Sequence, residues 1–255
     1  MKSSTEEWKV ISIGKMKLRW IENPLTQKRL IQHQDVVDNA WAKACDQSKI
    51  KLFNGPLLNW VGLKQGNDGA EITGHFVDYK YFFVSKERPD LDLNIFSVAV
   101  SGISLFREHG VTYTVFARRS ENVSSYAGRL ELVPSGSIDR KFADKAGMID
   151  YQSQLRSEFC EETGLPDDCI NDVVAFAFIL DVCDRVYDIC CRIIVDVPKD
   201  VLIDQLSRSK EYQHPVIVAE DELDKFVGSH RDSMIPSSVA LLEAYKQAKK
   251  REGIF

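Results

Sequence analysis

Glutamates 158, 161 and 162 are the residues of this 255-residue chain whose spacing points most directly to chemistry. They lie in Ser157-Glu158-Phe159-Cys160-Glu161-Glu162-Thr163-Gly164-Leu165. On a helix, positions i, i+3 and i+4 share one face. Three crowded carboxylates repel one another unless a cation sits among them. Hard Mg2+ or Mn2+ takes oxygen ligands and commonly works between carboxylates and substrate phosphates. With Glu and Gly each about 7% of residues, chance matches to E-x-x-E-E-x-G number about 2 × 10⁻⁵ per position, roughly half a percent for such a chain. A solvated acidic helix face is the ordinary reading of a charge run. Here the segment follows a strand, a Pro-x-Gly and a loop, and it ends on a helix stop, which favours the metal.

No other constellation competes. The five histidines (33, 75, 109, 214, 230) have no i,i+4 pairing, and none of the six cysteines forms a C-x-x-C. The cysteines read as reduced thiols acting as small hydrophobes. Charge is 33 − 38 = −5, so no global basic field draws in nucleic acid or an anionic membrane. An anionic ligand would need a local cation site or a metal. The longest apolar run, Val173 to Leu180, is far short of a bilayer span. The first twenty residues mix charges through any apolar stretch and read as no secretory signal. A soluble, cytoplasmic protein with a small-molecule partner is expected, with no nucleic acid and no membrane.

The elements that must position the glutamates follow from periodicity and breakers. Lys9 to Trp20 reads as extended, Leu25 to Cys45 as a helix with Leu30, Val37, Ala40, Trp41 and Ala44 in a stripe. Leu52 to Leu63 and Ala70 to Val77 read as strands around the turn-rich KQGNDG, and Tyr79 to Lys86 as a short helix ended at Arg88-Pro89-Asp90. From Leu93 the strands lengthen: Ile95 to Phe106 and Val111 to Ala117 around Glu108-His109-Gly110, then Arg129 to Val133 before Pro134-Ser135-Gly136. A helix from about Asp150 to Thr163 stops at Gly164 and Pro166. Asp172 to Val182 and Val186 to Val197 are strands; a helix after Pro198, a strand His214 to Ala219 and two helical segments complete the chain, the last Ile235 to Lys250. The class is α+β, a mixed sheet with helices packed on it. The change of texture near residue 92 divides the chain into a small α+β N-terminal segment, 1–92, and a second unit, 93–255.

The glutamate segment resembles the Nudix box, G-x5-E-x7-R-E-U-x-E-E-x-G-U, of hydrolases that cleave nucleoside diphosphates linked to another group. Gly136 is similar to the box glycine, and Glu158, Glu161, Glu162, Gly164 and Leu165 match the second half. The resemblance covers 93 onward and implies a Nudix αβα sandwich. It also implies a pyrophosphohydrolase with Mg2+ (Mn2+ as substitute) held by Glu158, Glu161 and Glu162, acting on a nucleoside diphosphate-linked small molecule. Glu161 and Glu162 would be catalytic, with Gly136 against the substrate. The box arginine falls on Ser157, with Arg156 one place early and about 100° away. The stretch from Gly136 is seven residues longer than the pattern, and the first box glutamate lands on Ile149 or Phe142, with Asp139, Asp144 or Asp150 as the candidate stand-in. These departures favour the rival reading, a catalytically silent module that binds a nucleotide or a protein.

Phe116-Ala117-Arg118-Arg119-Ser120, Gly128, Leu130 and the N-terminal Leu52-Phe53-Asn54-Gly55-Pro56-Leu57 are similar to the Nudix branch that splits UDP-sugars. That implies a UDP-sugar giving UMP and sugar phosphate, with Arg118 or Arg119 toward the diphosphate; on a strand the two alternate faces, so at most one reaches it. A further carboxylate often comes from outside the box. Glu211, ahead of the strand at 214, falls where it is expected, with Glu220 and Glu222 as competitors.

Overall fold

The extended reading of Lys9 to Trp20 resolves into two strands with different partners, β1 (Trp8–Ser12) and β2 (Met16–Trp20). The structure is a computed structural model and describes residues 8–13, 15–48, 51–66, 69–123 and 125–252. The single helix expected over 25–45 is two, α1 (Pro24–Gln32) and α2 (Gln34–Gln47). His33, at φ −110° and ψ 6°, leaves the helical region between them, and its carbonyl accepts from the Val37 N–H at 3.0 Å to start α2. β3 (Pro56–Gly66) and β4 (Gly69–Asp78) form a hairpin, and α3 (Tyr79–Glu87) follows. The KQGNDG turn lies partly outside the described residues, at 67 and 68. Leu52 to Gly55 is not strand: the Asn54 side chain accepts from the Lys80 N–H at 2.9 Å and so serves the start of α3.

The second part runs β5 (Ser97–Glu108), β6 (Val111–Arg119), β7 (Leu130–Leu132), β8 (Ser135–Ser137), β9 (Met148–Ile149) and α4 (Tyr151–Thr163). It continues with β10 (Ile170–Asp181), β11 (Val186–Val195), α5 (Lys199–Ser207), β12 (Tyr212–Ala219), α6 (Leu223–His230) and α7 (Pro236–Glu252). β8 and β9 stand where a turn and a polar loop were expected. Two or three residues carry no readable period, and partners remote in sequence create these strands: β8 pairs β5, and β9 pairs β2.

One mixed sheet results, in the order β1-β10-β11-β5-β3-β4-β2-β9, with β6, β7, β12 and β8 branching around β5. β11 lies parallel to β5 and β2 parallel to β4; the other pairs are antiparallel. Alternation along a strand sends successive side chains to opposite faces. Val98 and Val100 of β5, with Ile189, Cys191 and Ile193 of β11, pack with Leu155 and Phe159 of α4 and Leu202 and Leu206 of α5. Ile103 and Leu105 of β5 and Cys190 of β11 pack instead with Val239, Leu242 and Tyr245 of α7 and Leu223 of α6. Helices therefore cover both faces, an α+β fold in three layers. Among the described residues no helix is long and apolar enough to cross a membrane.

Residues 8–92 extend this same sheet. β1 pairs β10, β2 pairs β9, and β3 meets β5 at Asn59 and Ser97, where the Asn59 carboxamide oxygen also accepts from the Phe96 N–H at 2.8 Å. Leu18, Leu58 and Ile72 belong to the core cluster that holds Val98 and Phe159. Each buried aliphatic side chain is worth about 1.5–3 kcal/mol. A chain cut to 93–255 loses those side chains and the β1 edge of β10. Its thermal melt should show no cooperative transition, against a single one for the full chain; a cooperative melt of the fragment at the full-length temperature would contradict this.

Candidate active site

The helix α4 is set by local chemistry at both ends. Asp150 caps the start, its carboxylate accepting from the Ser153 N–H at 2.9 Å and the Ser153 hydroxyl at 2.7 Å. Gly164 ends it at φ 73°, a left-handed conformation that glycine adopts without strain. Leu155 and Phe159, four apart, are fully buried and sink one face of the helix into the sheet. Glu162, three residues beyond Phe159, is carried inward with them and is only 3% exposed. Glu161 stays outside, accepting from the Ser157 hydroxyl at 2.7 Å and lying 3.7 Å from the Lys141 ammonium. Glu158 is half-buried and accepts from the Gln154 carboxamide at 2.5 Å.

β8 lies beside these carboxylates. A Cβ on Gly136 would stand 2.2 Å from Glu158 Cδ, so any larger residue there would force the Glu158 carboxyl to move. One residue earlier, the Ser135 N–H donates to Glu162 Oε1 at 3.3 Å. The remaining support comes from three strands with matched register. Tyr212 of β12 faces Arg119 of β6, and Ala117 of β6 faces Glu131 of β7. Arg119, two residues on from Ala117, thus shares a sheet face with both. The Arg119 guanidinium donates to Glu131 Oε2, and the Ser135 hydroxyl donates to Glu131 Oε1 at 3.0 Å. The Tyr212 hydroxyl is 3.0 Å from Glu131 Oε2 and 3.3 Å from Glu162 Oε1, and donates to one of them at a time. Glu162 Oε2 is buried and has no hydrogen-bond partner among the described residues.

Electrostatics follow from that crowding. Burial pushes the Glu158 carboxyl up to about 7; the Gln154 hydrogen bond opposes this, and the Glu161 and Glu211 charges add to it. Glu162 is raised well above the carboxylate range by burial first, then by the Glu131 and Glu158 charges. Burial works against the Arg119 charge, but the Glu131 carboxylate overrides it and holds the guanidinium's proton more tightly. Acids that need a proton or a cation therefore lie next to a fixed ion pair.

A cavity of about 1260 Å³ opens over this network, between α2–α3 and the sheet. Of the residues expected from sequence, Arg119, Gly136, Glu162 and Glu211 line it. Glu211 immediately precedes β12, which begins two residues earlier than expected, and its backbone carbonyl accepts from the Ser120 N–H at 2.7 Å. Glu220 is elsewhere, bound to the Tyr245 hydroxyl at 2.5 Å and Lys249 at 2.7 Å, and Glu222 is exposed at the start of α6. Arg118 donates to the Gly128 carbonyl at 2.9 Å, so both arginines of the pair are engaged within the protein. Arg156 pairs with Asp167 at 2.7 Å, away from the glutamates. Asp144 and Asp150 accept from nearby backbone N–H groups, as Asp139 does from Lys141.

Sequence reading missed Glu131, Tyr212 and Asp188. Asp188 of β11 is 5% exposed, lines the cavity, and accepts from the Ser101 hydroxyl at 2.7 Å. Glu131 is the one charged residue of β7, and Asp188 is the one acid of the largely apolar β11, and these isolated acids are the available signal. Among the described residues no three of His, Cys, Asp and Glu converge on one point for a metal, since Glu161 faces Ser157 at the surface.

No protein-family model matches the chain, and no curated protein matches it. Similar solved structures include a Nudix hydrolase from M. smegmatis, at 12% identity and TM-score 0.38 over 60% of this chain and 86% of that one. A mutT/nudix family protein from Listeria innocua matches at 15% identity and TM-score 0.42, over 61% and 94%. A C. elegans Ap4A hydrolase matches at 13% identity and TM-score 0.40, over 59% and 95%.

Two outcomes follow from the buried charges. Arg119→Met strands Glu131 without its cation, and removing one partner of a buried pair costs about 3–5 kcal/mol. Urea denaturation should record that loss, and adding Glu131→Gln should recover most of it. Burial also pushes Asp188 from 3.8 up to about 7. The folded chain holds this proton more tightly than the unfolded one, so the contribution is complete below about pH 4 and drains as pH rises toward about 7. The slope is at most about 1.4 kcal/mol per pH unit. Melting temperature in EDTA should therefore fall between about pH 4 and pH 7, less steeply in Asp188→Asn; an unchanged slope would place the titration elsewhere.

Proposed function

We propose that this chain is a Nudix-type, metal-dependent pyrophosphohydrolase that cleaves a nucleoside diphosphate-linked small molecule. The observation that carries the reading is Glu162: a buried carboxylate at the edge of a large cavity, braced on one oxygen and unpartnered on the other. Together with Glu158 and Glu161 it makes an all-oxygen donor set suited to Mg2+ or Mn2+. Glu158, Glu161 and Glu162 would hold the ion, Glu161 by rotating its exposed side chain away from Ser157, a motion fast and cheap at a surface. When bound, Mg2+ neutralises phosphoryl charge and acidifies water.

The chain's own groups divide the remaining work. Arg119, Glu131 and Tyr212 keep Glu162 in place, and Gly136 leaves the space Glu158 occupies. Glu211 lines the same cavity and would take the proton of the attacking water. Water oxygen bonds to one phosphorus, the bridging P–O bond breaks, and its electron pair leaves on the second phosphate. A UDP-sugar, giving UMP and sugar phosphate, is the substrate that the Arg118-Arg119 strand and the N-terminal segment favour by their resemblance. In this account Arg119 acts as a brace for the glutamates and does not bind the diphosphate itself.

A second reading, binding without turnover, rests on the dispersed carboxylates: Glu161 held at the surface by Ser157 and Lys141. Steady-state assays with Mg2+ titration on UDP-sugars, ADP-ribose, CoA and dinucleoside polyphosphates separate the two. Glu162→Gln should lower kcat at least about 100-fold, roughly 3 kcal/mol of barrier, without unfolding the chain. Activity that survives EDTA, or wild-type rates in Glu162→Gln, would sink the metal mechanism; binding with no turnover of any compound would leave the silent module.

A further inference from the structure

The cavity floor is built unlike the rest of its sheet face. Along that face β5 reads Ser97, Ala99, Ser101 and then Ile103, Leu105, and β11 reads Val186, Asp188 and then Cys190. Ile103, Leu105 and Cys190 lie under α7 in the apolar core, whereas Ser97, Ala99, Ser101 and Asp188 line the cavity. Register places Asp188 directly between Ala99 of β5 and Ile179 of β10, and sets Ser137 of β8 across from Ala99. The change from aliphatic to small and hydroxyl-bearing residues thus falls where the helix cover ends.

Asp188 is the group on this floor whose chemistry is incomplete. Its Oδ2 accepts from Ser101, while Oδ1 is buried and has no hydrogen-bond partner among the described residues. A buried carboxylate oxygen left unpartnered carries a desolvation cost that a donor removes. Three of the four cations that line the cavity are already paired, Arg119 with Glu131, Lys86 with Asp184 at 3.0 Å, and Arg88 with Asp90 at 2.7 Å, and the fourth, Lys43, is exposed on α2, across the cavity from the sheet. A phosphate over Asp188 would meet Asp181 and Glu131 as well, all of its own sign. An uncharged group rich in O–H donors meets an acceptor and serine hydroxyls that give or take a hydrogen bond.

We infer that Asp188, with Ser97, Ser101 and Ser137, forms a subsite for an uncharged polyhydroxylated ring, a sugar carried by the diphosphate-linked ligand. This deepens the proposed function and rests on it: the diphosphate lies toward Glu162 and Gly136, and the ring lies over β5 and β11. The ring has two sources, the ribose of the nucleoside or the sugar beyond the diphosphate.

Equilibrium binding of three probes to the full-length chain distinguishes them, in Ca2+ in place of Mg2+ and again in EDTA. The probes are UDP-glucose, UDP methyl ester, which lacks the hexose, and 2′,3′-dideoxy-UDP-glucose, which lacks the ribose diol. The wild-type chain should prefer UDP-glucose to one of the other two. Asp188→Asn should weaken UDP-glucose about tenfold or more and leave the disfavoured probe within about twofold. The arm that loses its preference identifies the ring. Ser101→Ala, which frees the Asp188 carboxylate, should reproduce a smaller loss and covers the case in which Asp188→Asn folds poorly. No preference among the three in the wild-type chain, or equal weakening of all three in both variants, overturns the subsite. Asp188-dependent preference without turnover would remove the hydrolase reading and keep the subsite; turnover without that preference would do the reverse.

Discussion

Glu162 is a carboxylate taken almost wholly out of water because Leu155 and Phe159 anchor α4 in the sheet. A helix cannot bury those two side chains and leave the residue three positions further on outside. The cost of that burial dictates the surroundings. Ser135 and Tyr212 supply hydrogen bonds to one oxygen, and Arg119 neutralises the neighbouring Glu131 so that the two acids can share a dry site. Gly136 is part of the same arrangement, since any side chain there would occupy the volume of the Glu158 carboxyl. What the network leaves unfinished is Glu162 Oε2, buried and without a hydrogen-bond partner among the described residues.

The strand β5 connects this chemistry to the rest of the fold. One face packs against α4 and α5, and the other passes from apolar residues under α7 to small polar ones beneath the cavity. The N-terminal strands and helices then supply the opposite wall. Because β1 and β2 pair with β10 and β9, that wall is tied to the second part of the chain through the sheet itself. A cavity formed this way is largely preformed, which limits the conformational entropy that a ligand must overcome on binding.

The class, most of the long elements and the shared helix face of Glu158, Glu161 and Glu162 are legible in the residue order alone. Each of these rests on local periodicity: 2 for strands, 3.6 for helices, and Gly164 as a stop. That order also marked Glu211 and the Arg118-Arg119 pair as worth following, though not what their side chains do. The short strands β8 and β9, the break at His33 and the pairing of β1 with β10 were not legible, because remote partners create them.

Which charges meet depends on the packed chain. Arg119, Glu131, Tyr212 and Glu162 come from four elements, and their proximity depends on the register of β12, β6 and β7 and on the depth of α4. A one-residue slip in that register would turn the Arg119, Glu131 or Tyr212 side chain to the other face, away from Glu162. Spacing along the chain encodes which residues share a helix face. The dielectric around them, and so whether a glutamate is a solvated surface group or a metal-seeking one, is set by what packs over it.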